Sequence, residues 1–200
     1  MTPEEFTAAT GVSRETMDRL RLYAALLAKW QKAINLIGRA TEAEIWHRHF
    51  LDSAQIASLL PVGPGLVDLG SGAGFPGAVL AAMGVKDVHL IESDSRKCAF
   101  LHELDRQLSL GMTIHKARIE SVVPWKASGV TSRALAPLPK LLALAFPFVG
   151  PDTVAVFLKG ESADEELTEA SKAWNMTVER LVSRTSPTSV ILRLTRLERK

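Results

Sequence analysis

The segment Leu66-Val67-Asp68-Leu69-Gly70-Ser71-Gly72-Ala73-Gly74-Phe75-Pro76-Gly77 constrains this chain more than any other. Leu66, Val67 and Leu69 read as a short buried strand. The glycines that follow admit positive φ and let the backbone approach a ligand with no Cβ in the way. Pro76 lacks an N–H and suits the first turn of a helix, where that donor has no partner. The run Ala78-Val79-Leu80-Ala81-Ala82-Met83 carries the helix to Gly84, a natural stop. A strand, a glycine turn and a helix start bring free N–H groups and a positive dipole end to one place. The segment is therefore expected to hold a polar or anionic ligand, the alternative being a turn that serves the fold alone.

Gly72 to Gly77 fit G-x-G-x-x-G, the dinucleotide pattern. A second strand, Val88-His89-Leu90-Ile91-Glu92, ends in an acid where a ribose hydroxyl would be held. Both features suit a nicotinamide cofactor and S-adenosylmethionine alike. Two others favour the methyl donor. Asp68 precedes the first glycine, and a carboxylate there repels a pyrophosphate but suits an ammonium and a sulfonium. Phe75 and Pro76 crowd the place a pyrophosphate needs.

The remaining chain supplies the frame. Thr2-Pro3-Glu4-Glu5 opens a short helix that Gly11 breaks, and Ser13 caps a longer one. Met17, Leu20, Ala24, Leu27 and Ile34 make its apolar stripe. Arg14, Arg19, Arg21, Lys29 and Lys32 lie outside that stripe and read either as a solvated face or as an RNA-facing one. Thr41-Glu42-Ala43-Glu44 reads as a capping box opening a helix that runs to Pro61. Arg48, His49 and Asp52 on it are expected to cluster at the mouth of the core domain, whereas His47 and His49, two apart, cannot pair on a metal. Pro61-Val62-Gly63-Pro64-Gly65 separates a helical extension, 1–61, from a core domain, 62–200.

Further strands are expected at Met112–Lys116, Gly129–Ala134, Thr153–Leu158, Met176–Glu179 and Ser189–Leu194, the last two as a hairpin. The reading is α/β: a doubly wound, Rossmann-like, seven-stranded sheet with a small N-terminal helical extension. Ligands of such sheets bind beyond the strand C-termini. Asp68, Gly70, Glu92, Glu120, Arg133 and Lys159 all fall there or just past it, with Ile119 placed to face an adenine ring. Arg184, Arg193, Arg196, Arg199 and Lys200 leave a basic surplus near the last strand, read as a blunted sheet edge or an RNA edge.

With 24 Lys+Arg against 22 Asp+Glu the net charge is +2, which excludes a strongly basic coat but not a local patch. The single cysteine, Cys98, excludes an intrachain disulfide framework and points to a reducing compartment. No apolar run is long enough for a membrane span and no leader pattern is visible, so the cytoplasm is the expected location.

These residues resemble the bacterial methyltransferase family RsmG, also called glucose-inhibited division protein B. The resemblance rests on Asn35-Leu36, Arg48-His49-Phe50-Leu51-Asp52-Ser53, Val67 to Gly77, Ile119-Glu120, Ser132-Arg133-Ala134 and Leu158-Lys159-Gly160, in family order along nearly the whole chain. Gln31 and Ile37 depart from the family's usual Asn and Thr. The resemblance implies a class I S-adenosylmethionine-dependent enzyme that methylates guanine N7 in the 530 loop of 16S ribosomal RNA. It places Gly70, Phe75, Ile119, Glu120 and Arg133 on the methyl donor, beside Asp68, Gly72 and Glu92 from the turn. Arg48, His49 and Lys159 are the candidates for RNA, with Arg133 open to either ligand. No metal and no acid–base group are expected, because N7 carries a lone pair and no proton. The partner would be 16S RNA or the small subunit, and the enzyme a monomer. A methyltransferase for another RNA, a catalytically silent RNA-binding module, and a nicotinamide oxidoreductase are the competing readings.

Overall fold

Alternation along the central strands builds this molecule. In the computed structural model, which describes residues 1–200, β1 (Leu66–Leu69) is buried at all four positions. Leu66 faces one apolar core and Val67 and Leu69 the other. β5 (Val149–Lys159) does the same: Val154, Val156 and Leu158 enter the first core, Ala155 and Phe157 the second. Two buried faces need two layers of covering helix.

The sheet order is β3-β2-β1-β4-β5-β7-β6. β1 pairs in parallel with β2 (Val88–Glu92) on one side and β4 (Ala127–Arg133) on the other. β3 (Thr113–Lys116) joins β2, and β5 joins β4, both in parallel. β6 (Trp174–Val182) and β7 (Val190–Arg199) form the expected hairpin, with β7 inserted antiparallel against β5. The order reverses between β1 and β4, so the crevice for a ligand opens beyond their C-terminal ends.

α1 (Pro3–Thr10), α2 (Arg14–Gln31) and α3 (Asp52–Ala54) lie over the first face with α4 (Gly77–Ala82) and α5 (Ser95–Leu108). α6 (Leu138–Ala145) and α7 (Ala163–Ala170) cover the second. Phe6, Leu20 and Tyr23 share one continuous core with Leu80, Phe100 and Leu104. Residues 1–61 and 62–200 thus follow one another in sequence but pack around the same apolar centre. No helix is long and apolar enough to cross a membrane.

Two local expectations are corrected. Pro76 sits at the N-cap of α4, so the helix begins at Gly77. No capping box opens a helix at Thr41. Instead a 3₁₀ turn (Arg39–Glu44), a π-helical turn (Trp46–Leu51), α3 and a second 3₁₀ turn (Ala57–Leu59) follow in succession. The Thr41 hydroxyl donates to the Gly38 carbonyl and meets the ring of His49, so contacts within this segment have taken the side chain a cap would need. The wide turn falls where the Trp46 and Phe50 rings pack at a tilt, centroids 4.6 Å apart, and His49 reaches Arg133 on β4.

Candidate active site

Gly70, Gly72 and Gly74 adopt φ of 68°, 58° and 94°, values that favour glycine. Their surroundings divide the work. A Cβ on Gly70 would lie 2.6 Å from Leu135 Cδ1, and one on Gly72 would meet nothing nearer than the Gly70 carbonyl at 4.0 Å. These two line an open cleft. A Cβ on Gly74 would lie 2.6 Å from the Tyr23 hydroxyl, and one on Gly77 2.8 Å from Asp68. Those two allow helices α2 and α4 to close on the turn.

Glu92 ends β2 with its carboxylate braced from both sides: Oε2 accepts the Gly72 N–H at 2.9 Å and Oε1 the Asp94 N–H at 2.7 Å. It forms one rim of a cleft of about 380 Å³ whose walls include Gly70, Gly72, Ile119 and Glu120. Five residues predicted for a cofactor are therefore brought together. Lys97, Leu135 and Lys140 also line the cleft. Sequence reasoning missed them because they stand on helix or loop positions with no motif of their own.

Three other predicted cofactor residues lie elsewhere. Asp68 is fully buried behind the turn, because strand alternation turns it toward the face that α4 covers. Its Oδ2 accepts the Gly77 N–H at 3.1 Å and its Oδ1 has no hydrogen-bond partner. Burial raises its carboxyl pKa to about 7 against the smaller opposing pull of that hydrogen bond. It braces the start of α4 and does not form the cleft wall. Phe75 also turns inward, its ring stacked on Tyr23 at 5.3 Å and 10°. The bulk that sequence reasoning set against a pyrophosphate is directed into the N-terminal helices.

Arg133, at the end of β4, lines a second cavity of about 400 Å³ with Arg48, His49, Asp52 and Lys159. Its Nη1 donates to the Arg48 carbonyl at 3.0 Å and to Asp52 Oδ2 at 3.2 Å, its Nη2 to His49 Nδ1 at 2.8 Å, and its Cζ lies 5.1 Å over the Phe75 ring. The cluster of Arg48, His49 and Asp52 expected from sequence is thus present, tied together by Arg133. Burial, then the charges of Arg133 and Arg48, pushes the His49 pKa down to about 3, so the ring is neutral. Lys159 is held by Glu166 at 2.6 Å and by the Ala136 carbonyl at 2.9 Å. Arg48 has one hydrogen bond, to the Thr185 carbonyl at 3.3 Å, and no ion pair. Ala134, at φ 53°, lines both cavities and is the point where they adjoin.

The family described as rRNA small subunit methyltransferase G matches this sequence over residues 16–190. The chain belongs to that family. A ribosomal RNA small subunit methyltransferase G of Paramagnetospirillum magneticum is 54% identical over 200 residues, covering 100% of this chain and 98% of the relative. The protein of the same name from Rhodospirillum rubrum is 52% identical, with both chains covered in full. Among solved structures, a TehB-like SAM-dependent methyltransferase from Corynebacterium glutamicum superposes with a TM-score of 0.61 at 16% identity, over 88% of this chain and 98% of its own. A ribosomal protein L11 methylase from Lactobacillus delbrueckii gives 0.58 at 16% identity, over 72% and 76%. These two share the Rossmann-like fold of the methyltransferase G chain.

Proposed function

We propose that the chain transfers a methyl group from S-adenosyl-L-methionine to N7 of a guanine in the 530 loop of 16S ribosomal RNA. The observation that carries this reading is the pair of adjoining cavities with Ala134 between them, one rimmed by the glycine turn and Glu92, the other by cations. The first suits the methyl donor by its chemistry: an open glycine cradle, an acid braced at the β2 end, and apolar Ile119 and Leu135 to flank a ring. Bound there, the donor supplies a methyl group on a positively charged sulfur. Glu92 keeps acceptor capacity beyond its two backbone bonds and would take the ribose hydroxyls. Asp68 acts indirectly, by holding Gly77 and with it the turn.

The second cavity would receive the guanine. Guanine O6 and phosphate oxygens are acceptors that Arg and Lys read well. Arg48, with a single hydrogen bond, is the contact residue; Arg133, with three of its donors given to Asp52, His49 and a carbonyl, positions the wall. The chain needs no base, because N7 attacks through a free lone pair. The neutral His49 agrees with this, since both its nitrogens are engaged in holding structure. What the chain contributes is alignment and exclusion of water. The target base must leave any helix to enter, because N7 lies in the deep groove of paired RNA. The reaction would take place in the cytoplasm with the enzyme as a monomer. Incubation of small-subunit RNA with labelled S-adenosylmethionine, followed by mapping of the labelled nucleotide, tests the reading. Label at N7 of one guanine in that loop is expected, and label at a ring carbon or an exocyclic amine would refute it.

A further inference from the structure

Beside the two cavities lies a third, of about 280 Å³, between the C-terminal end of α2 with the turn that follows it and the first residues of α5. Lys32, Arg39, Arg96 and Lys97 line it, and Asp94 is its one carboxylate. That carboxylate is already used: Oδ1 caps α5 by accepting the N–H groups of Arg96 and Lys97 at 2.8 and 3.2 Å, and Oδ2 lies 3.7 Å from the Arg96 guanidinium. Lys32, Arg39 and Lys97 form no ion pair. Elsewhere on the surface Arg21 is paired with Glu4, Arg106 with Glu103 and Arg180 with Asp164. A walled cleft with four cations and one committed carboxylate has the chemistry of a site for several phosphates.

Its position connects it to both reaction cavities. Lys97 lines this cleft and the glycine-turn cleft together. Gly38 lines the guanine cavity, while Arg39, the next residue, lines this one, so the turn between them is a partition. Gln31 holds the partition in shape. Its Oε1 accepts the Leu36 and Ile37 N–H groups at 2.8 and 3.1 Å, and its Nε2 donates to the Ile37 carbonyl and Glu42 at 2.8 Å each. A strand with one base in the guanine cavity can lay its neighbouring phosphates across this ridge.

We infer that the cleft holds the backbone phosphates beside the target nucleotide, with Lys32, Arg39 and Arg96 as the contacting cations. This rests on the proposed methylation of ribosomal RNA. Phosphate contacts set register and orientation without reading sequence, which is what a base entering a neighbouring cavity requires. The glycine-turn cleft does not depend on these three side chains.

The test compares the wild-type chain with K32A/R39A/R96A and with a control that removes as many exposed cations elsewhere, K86A/K126A/K172A. KM for a loop RNA is expected to rise at least about tenfold in the cleft variant, with kcat within about twofold and unchanged affinity for S-adenosylhomocysteine. The slope of log binding constant against log salt should become shallower by about 2, the value for three phosphate contacts on a single strand. The control should show neither change. An unaltered KM and slope in the cleft variant, or an equal loss in the control, overturns the inference while leaving the methylation reading intact. A wild type that labels no small-subunit RNA refutes that reading instead, and the salt slopes of binding then still decide whether the cleft takes phosphates.

Discussion

Arg133 donates to His49 across 2.8 Å, and the imidazole must be the acceptor because the guanidinium has no lone pair to offer. This fixes the proton of His49 on Nε2, where it is given to Thr41 Oγ1 at 2.8 Å, whose own hydroxyl goes to the Gly38 carbonyl at 2.9 Å. The relay joins the end of β4 to the partition between the cavity lined by Arg133 and the cationic cleft. His49→Ala cuts it and frees one edge of Arg133. Single-turnover methyl transfer should fall about tenfold to a hundredfold, since small misplacements at a reacting pair carry losses of that order. Affinity for S-adenosylhomocysteine should stay within about threefold, because the relay does not line that cleft. Calorimetry beside quenched labelling measures both.

The same histidine enters the pH dependence of folding, opposed by Asp68. His49 has its pKa lowered from 6.5 to about 3 by burial, then Arg133 and Arg48. Its contribution is present above the unfolded value and is lost as pH falls. Asp68 has its pKa raised from 3.8 to about 7 by burial, so its contribution is present at low pH and is lost as pH rises. Between about pH 4 and 6.5 the unfolded chain binds a proton at His49 that the native state refuses, and the native state keeps one at Asp68 that the unfolded chain releases. The two slopes cancel. Relative to wild type, Asp68→Asn should make stability rise with pH in this window by about 1.4 kcal/mol per unit, and His49→Gln should make it fall by a similar amount. Urea midpoints at several pH values give the slopes, and parallel curves for all three chains would refute the account.

The glycines of the turn should separate by function. Gly72→Val places a side chain in the open cleft at φ 58°. It should abolish S-adenosylhomocysteine binding with a loss of stability of only about 1–2 kcal/mol. Gly74→Ala meets Tyr23 and Ala78 at 2.6 and 2.8 Å. It should destabilise by about 2–5 kcal/mol through overpacking and the positive φ together. Thermal melts with and without ligand distinguish the two.

Tyr23 is fully buried, with its ring on Phe75 and its hydroxyl donating to the Ala73 carbonyl. Tyr23→Phe keeps the ring contact and leaves a buried carbonyl of the turn short of a donor. A loss of about 1–2 kcal/mol is expected, which lowers Tm by about 3–6 °C in a chain of this size.

Glu166 carries three duties, pairing with Lys159 and accepting the Leu138 N–H at the start of α6 and the Ser162 hydroxyl. Glu166→Gln removes the charge partner of a largely buried ammonium. It should destabilise by up to about 3 kcal/mol. Lys159→Met/Glu166→Gln removes both charges together and should be the less damaged of the two, and a double variant worse than the single one would show that the unpaired Lys159 charge is not what costs the single variant its stability.

The strand, turn and helix from Leu66 to Ala82 were legible because each part has a local cause: an apolar run, glycines where φ is positive, and a proline at the helix start. Gly70, Gly72, Glu92, Ile119 and Glu120 could be assigned to one cleft because strand ends in a parallel sheet converge on one rim. The helix expected from Thr41 onward was not legible. Its backbone is set by Trp46, His49 and Phe50 satisfying partners on α1, α2 and β4, and those contacts override local propensity.

By itself, then, the order of residues determined the strands of the core domain, the two-faced sheet and the site's location at the strand ends, since period-two alternation and glycine placement are properties of neighbouring positions. Tertiary structure alone decided which way Asp68 and Phe75 turn, and that Arg133 meets Arg48, His49 and Asp52 across more than eighty positions of chain. Those outcomes depend on which strand lies beside which and which helix covers each face. Only long-range burial can specify that.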